Sequence, residues 1–120
     1  MNETRVKPIK LKDNDTDKEY ILEFNKRTVA KTYDLGFRRD EFFNNIEKHL
    51  PLLWYGAFLM HHGAEVSKKK AEDLLRGTGG LTEVVVERLI DLFNEPSKGL
   101  VVTEEEAEEN AKNATATVEL

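Results

Sequence analysis

Cysteine is absent from this chain, and proline (three residues) and tryptophan (one) are scarce. Without thiols there is no disulfide framework, no thiolate nucleophile and no thiolate metal site. No apolar stretch approaches the roughly 20 residues that cross a bilayer. The first 20 residues carry Arg5, Lys7, Lys10, Lys12 and Lys18 with no apolar run between them, so no secretory leader is expected. These absences point to a soluble protein of a reducing cytoplasm.

An excess of either charge is also missing from most of the chain. The net charge is −5, and Lys112 against six Glu in residues 100–120 accounts for all of it. Residues 1–99 hold 17 Lys+Arg and 17 Asp+Glu. The expected organisation is one domain over 1–99 and an acidic, disordered tail over 100–120. A neutral body with an acidic tail does not fit a nucleic-acid binder, whose affinity rests on neutralising phosphates.

Within this charged sequence, Pro51-Leu52-Leu53-Trp54-Tyr55-Gly56-Ala57-Phe58-Leu59-Met60 stands alone as an uncharged run. A helix with no polar face has to be covered on nearly every side. Pro51 suits a first helical turn. His61-His62-Gly63 reads as the stop. The spacing therefore predicts a central helix over 51–62, wrapped by its own domain, by another copy or by a partner.

The flanking sequence supplies the wrapping. Ile9 and Leu11 alternate with Lys10 and Lys12. Tyr20, Leu22 and Phe24 alternate with Glu19, Ile21 and Glu23. Asn14, Asp15 and Asp17 lie between as turn formers. This predicts a β-hairpin with Glu19 and Glu23 set against the lysines. Asn25 caps a predicted helix over about 26–35, with Val29, Ala30, Tyr33 and Leu35 near one face and Gly36 as its stop. Asp40 is placed to cap a second helix carrying Phe42, Phe43, Ile46 and Leu50. Ser67 caps a short helix to about Leu75, which opens on Lys68, Lys69 and Lys70 against the helix dipole. A last helix runs from about Leu81 or Thr82 to Asn94, with Val85, Val86, Leu89, Leu92 and Phe93 inward. The fold class is α+β, mainly α: an N-terminal β-hairpin, then four or five short helices around 51–62.

Catalytic and metal chemistry find little footing. His61 and His62 point about 100° apart on a helix and do not chelate one ion as an i, i+4 pair would. Arg76-Gly77-Thr78-Gly79-Gly80 lacks the Gly-Lys-Ser/Thr ending of a phosphate loop and follows a predicted helix rather than a strand. Asp34, Asp40 and Glu41 near Arg38 and Arg39 read as a solvated charge cluster. No nucleophile elbow is present. The expectation is a non-enzyme with no cofactor and no metal. Two features suit contact instead. Trp54, Tyr55, Phe58 and Met60 concentrate the apolar and aromatic side chains that interfaces favour. Glu83, Glu87 and Asp91, with Glu95, form an acidic ridge that could meet a basic partner.

The order of these pieces resembles a known family. A lysine-alternating hairpin ends in Tyr20-Ile21-Leu22-Glu23-Phe24-Asn25-Lys26-Arg27 and leads into a helix. Leu53-Trp54-Tyr55-Gly56-Ala57-Phe58-Leu59-Met60-His61-His62 follows, then a helix from Gly80-Leu81-Thr82 to Leu92 and an acidic tail. Over about residues 7–96 this resembles the small tail assembly chaperones of long-tailed phages and prophages of Gram-positive bacteria. The resemblance implies a protein of the host bacterial cytoplasm, absent from the mature virion, that binds the tape-measure protein and keeps it soluble while the tail tube assembles. It also implies a longer frameshifted form that meets the tail-tube protein. Trp54, Tyr55, Phe58, Met60, Glu83, Glu87 and Asp91 are then the expected contact residues, with self-association possible and no nucleic acid or membrane partner. The alternative is a tail or head–tail connector protein that stays in the virion.

Overall fold

A computed structural model describes residues 5–98 and 100–120. The expected domain over 1–99 therefore has residues 1–4 and 99 outside the described residues. Strands β1 (Ile9–Asp13) and β2 (Lys18–Leu22) form the hairpin. Ile9 faces Leu22 and Leu11 faces Tyr20, so one side of the hairpin is apolar and turned inward. Lys12 sits opposite Glu19, as expected. Glu23 lies past the paired register, and its carboxylate meets His61 Nε2 at 2.8 Å instead of a lysine.

A two-stranded hairpin is marginal by itself, and here β2 is tied to a helix. The Ile21 N–H donates to His62 Nε2 (2.9 Å) and the Glu23 N–H donates to the Ala57 carbonyl (3.0 Å). These two donors are spaced i, i+2, so they leave the same edge of the strand. The helix thus occupies the edge where a third strand would pair, which removes an open template for aggregation.

Helix α1 (Lys26–Asp34) starts at Asn25 through a reciprocal box. The Asn25 side chain accepts the Thr28 N–H (2.8 Å), and Thr28 Oγ1 accepts the Asn25 N–H (2.9 Å). Its buried residues are Thr28, Val29 and Thr32, while Ala30, Tyr33 and Leu35 are exposed. The inward face is thus rotated toward the threonines from the one the apolar spacing predicts. The reason is a close crossing. A Cβ on Gly56 would lie 2.1 Å from Thr32 Oγ1, so only glycine lets the two backbones approach this closely. Thr32 Oγ1 is satisfied by donating to the Thr28 carbonyl (2.7 Å), so its polarity costs little inside. Gly36 ends the element at φ 107, as expected of a C′ glycine.

The second predicted helix is replaced by a 3-10 turn, Arg39–Asn44, and a break at Asn45. Phe42 is buried, but Phe43 is 77% exposed and Ile46 is also exposed. Asp40 does not cap it. Asn45 instead caps helix α2 (Ile46–His62), which is longer than the predicted 51–62. Pro51 therefore stands inside the helix rather than in its first turn. Its missing N–H deprives only the Glu47 carbonyl of a partner, and Glu47 is exposed to water.

Helix α2 is the centre of the molecule, as its composition requires. Leu52, Leu53, Trp54, Ala57 and Phe58 are buried, packed by β2, α1, α3 and α4. Helix α3 (Lys68–Gly77) is capped by Ser67 and helix α4 (Glu83–Asn94) by Thr82. Two of the three lysines that open α3 against its dipole have partners. Lys70 reaches Asp13 of the hairpin (3.7 Å) and Lys69 pairs with Asp73 one turn on (3.3 Å). On α4, Leu89, Leu92 and Phe93 are buried and Val85 and Val86 half-buried, which matches the predicted face. Phe93 gathers Phe24, Tyr33 and Phe37 edge-on at 4.9–5.2 Å between centroids. Within 100–120, Glu104–Ala111 forms helix α5, boxed by Thr103 and Glu106, with no buried residue. No helix of the described residues is long and apolar enough to cross a membrane.

The crossing at Gly56 yields a prediction. Gly56→Ala should destabilise the fold by about 1–3 kcal/mol through overpacking, despite the higher helix propensity of alanine. Adding Thr32→Ala should recover most of that loss. Urea denaturation midpoints of the single and double variants check this.

Candidate functional site

The contact residues expected on the apolar run divide between two environments. Trp54 and Phe58 do not reach the surface, at 1% and 0% exposure. Trp54 donates Nε1–H to the Ala71 carbonyl (2.8 Å), which ties α2 to α3, and its ring meets Phe58 edge-on at 5.5 Å. Phe58 in turn packs edge-on against Tyr20 of β2 (5.6 Å). These two side chains are core and cannot be presented to a partner by the folded chain. Tyr55 is half-buried and Met60 is 37% exposed. They lie on the strip of α2 that its own domain leaves partly uncovered.

That strip is the floor of an open groove of about 540 Å³ between α1 and the C-terminal half of α2. Tyr55, Leu59 and Met60 supply its apolar surface. Arg27 and Lys31, one turn apart on α1, stand along one wall and His61 along the other. Among the described residues, neither Arg27 nor Lys31 has an ion-pair partner. A second depression shares Asn25 and Met60 with the groove and adds Arg5, Lys26, Pro96 and Lys98. Its one carboxylate, Glu95, is paired with Lys98 at 3.0 Å. The result is a basic, apolar-floored channel on a protein whose pI is about 5.3.

Sequence reasoning missed Arg27 and Lys31. Their i, i+4 spacing was visible, but nothing in the sequence said that this face of α1 would border α2. The acidic ridge is real but lies elsewhere. Glu83, Glu87 and Asp91 are exposed on α4 and line neither depression of the channel. The structure therefore does not unite the ridge with Tyr55 and Met60.

Other polar groups that could have carried chemistry are committed to structure. The Thr28 hydroxyl donates to the Asn25 carbonyl (3.2 Å) and accepts the Asn25 N–H. His62 Nε2 accepts a backbone N–H, so the imidazole proton sits on Nδ1 and points to the Glu65 carboxylate. His49 is fully buried, and its Nδ1 accepts the Arg38 N–H (3.2 Å). Arg38 donates to the Tyr33 and Phe37 carbonyls, and Arg39 to Asn94, so neither arginine clamps the neighbouring acids. Among the described residues no three His, Asp or Glu gather in a metal-holding group. The groove sets an apolar floor of Tyr55, Leu59 and Met60 beside the cations Arg27 and Lys31. It carries no arrangement of nucleophile and base.

The family model for a domain of unknown function, DUF5055, matches residues 1–120, and the chain belongs to that family. No curated protein and no solved structure matches it.

Two carboxylates, the exposed Glu65 and the half-buried Asp13, give the fold a defined response to acid. The hydrogen bond from His62, then that from Lys18, holds the Glu65 carboxyl below its usual value. The Asp15 N–H, followed by Thr16 and Lys70, does the same for Asp13. Lowered folded values mean that this stabilisation is complete above the unfolded carboxylate pKa values of about 4. It is lost as pH falls through the folded ones. Denaturant midpoints measured from pH 7 downward should therefore drop on the acid side, and less steeply for Glu65→Gln. An equal slope in the variant would refute the role of Glu65.

Proposed function

We propose that this DUF5055 protein is a non-enzymatic tail assembly chaperone. It binds the tape-measure protein of a long-tailed phage or prophage in the host cytoplasm, keeps it soluble during tube assembly and leaves before the virion is complete. One observation carries the reading: a basic channel with a floor of Tyr55, Leu59 and Met60 is left open beside a helix whose other faces are fully used by its own core. A holding protein needs apolar surface that does not unfold it when uncovered. Here Trp54 and Phe58 secure the fold, so the adjacent strip is free for a client. An amphipathic helix laid in such a groove would place its apolar stripe on Tyr55 and Met60 and its acidic flank along Arg27 and Lys31.

The client is proposed on the resemblance carried by residues 53–62, and the open groove supports this mode of holding it. The tail-tube protein remains the proposed partner of a longer frameshifted form. The competing reading, a tail or connector protein retained in the particle, makes the opposite prediction for composition. Mass spectrometry of purified virions should find the chaperone missing and a structural component present in fixed copies.

The groove itself is tested by co-expression with the tape-measure protein encoded in the same genome. Met60→Asp and Tyr55→Asp should each weaken capture tenfold or more, about 1.4 kcal/mol, with the circular dichroism of the folded chain retained. Trp54→Phe should leave capture intact while lowering stability by about 1–3 kcal/mol, because the Ala71 carbonyl loses its donor. Capture that survives both aspartate variants would remove the groove from the account.

A further inference from the structure

The acidic segment after the domain adds little to the core: over 100–111 only Val102 is half-buried and the rest is exposed. Helix α5 carries Glu at five of its eight positions and buries nothing. An isolated helix of that length is marginal in water, where roughly 12–15 residues are needed. Its remaining face is nonetheless ordered in sequence: Thr103, Ala107 and Ala111 recur at helical spacing behind Leu100, which is 71% exposed, and Val101, which is 92% exposed. The segment is thus an amphipathic arm with a small apolar stripe and a dense acidic flank. The acidic flank is complementary in charge to Arg27 and Lys31 of the channel.

Charge and placement argue for the same pairing. The protein outside the arm is neutral, and Arg5, Lys26, Arg27 and Lys31 border the channel beside the Lys98–Glu95 ion pair. The arm leaves the domain beside Lys98, at the channel's own rim. Yet it does not fold back. The chain measures 54 × 30 × 27 Å, and its radius of gyration of 16.9 Å exceeds the roughly 13–14 Å of a compact chain this long. An arm held away from its own body is available to another.

We infer that the arm over residues 100–111 docks in the basic channel of a second copy, Leu100 and Val101 against Tyr55 and Met60 and the glutamates along Arg27 and Lys31. Two copies exchange arms reciprocally and close a two-fold dimer. Each exchange makes the other intramolecular, which multiplies two weak contacts. This rests on the channel being a binding surface, but not on the identity of the client. Its consequence is regulatory. Arm and client compete for one groove, so the chaperone covers its apolar strip until a client displaces the arm.

The lack of native cysteine makes the test direct. Full-length Met60→Cys and Ala107→Cys chains are mixed in equal amounts and mildly oxidised. Asp15→Cys, in the hairpin turn, replaces Met60→Cys as the control. The 60–107 heterodimer should exceed the control several-fold. High salt should reduce it, as should Arg27→Glu with Lys31→Glu in the Met60→Cys chain. Wild-type mass in sedimentation should rise with concentration, and the rise should vanish when all five α5 glutamates become glutamine in the full chain. Yields equal to the control would overturn the proposal. So would a Met60→Cys/Ala107→Cys chain that forms only an intrachain bond at every concentration. Loss of tape-measure capture with the crosslink intact sinks the chaperone reading alone. Loss of the crosslink with capture intact sinks the arm alone.

Discussion

Helix α2 presents its domain with a problem of hydration. From Leu50 to Met60 it carries no charge, and burying a side chain such as Leu or Phe is worth about 1.5–3 kcal/mol. Every neighbouring element is positioned by the need to keep this helix dry. The hairpin lies along it through hydrogen bonds from the N–H groups of Ile21 and Glu23. Helix α1 approaches through the gap that Gly56 leaves for Thr32. Helix α3 is fixed by the indole N–H of Trp54, and α4 closes the remaining side with Leu89, Leu92 and Phe93.

The covering is incomplete, and the site follows from where it stops. A domain of this size buries a limited share of its surface, and the material runs out along Tyr55, Leu59 and Met60. The edge of α1 that borders this strip carries Arg27 and Lys31. Apolar floor and cationic wall thus come together because α1 is turned to put its threonines, rather than Tyr33 and Leu35, against α2. One close crossing sets both the stability of the pair and the charge of the groove.

Much of the fold was legible one element at a time. The alternation of Ile9 and Leu11 with lysine, and of Tyr20, Leu22 and Phe24 with polar residues, determines which side of the hairpin turns inward. Asn25 and Ser67 cap helices where their side chains can reach the third backbone N–H. The misses were of a different kind. Pro51 read as a helix start because a proline at that point loses least, but Asn45 offered an earlier cap and the helix tolerated the proline beyond it. Phe42 and Phe43 read alike, and the 3-10 turn buried only the first. Trp54 and Tyr55 read alike too, and a difference of one position on the helix made one core and the other surface.

What the sequence determined by itself is therefore local and compositional. It set the uncharged run that must be covered, the caps and stops that divide the helices, the period of the strands, and the segregation of negative charge beyond the domain. These follow from short-range geometry and from the cost of exposing apolar surface, which neighbouring residues alone can specify. The tertiary structure decided which face of α2 stays uncovered, and that Arg27 and Lys31 border it while Glu83, Glu87 and Asp91 do not. Those outcomes depend on how two helices rotate about one contact, Gly56 against Thr32. Residues 24 positions apart settle that rotation by their shapes when they meet, and no pattern along the chain encodes it.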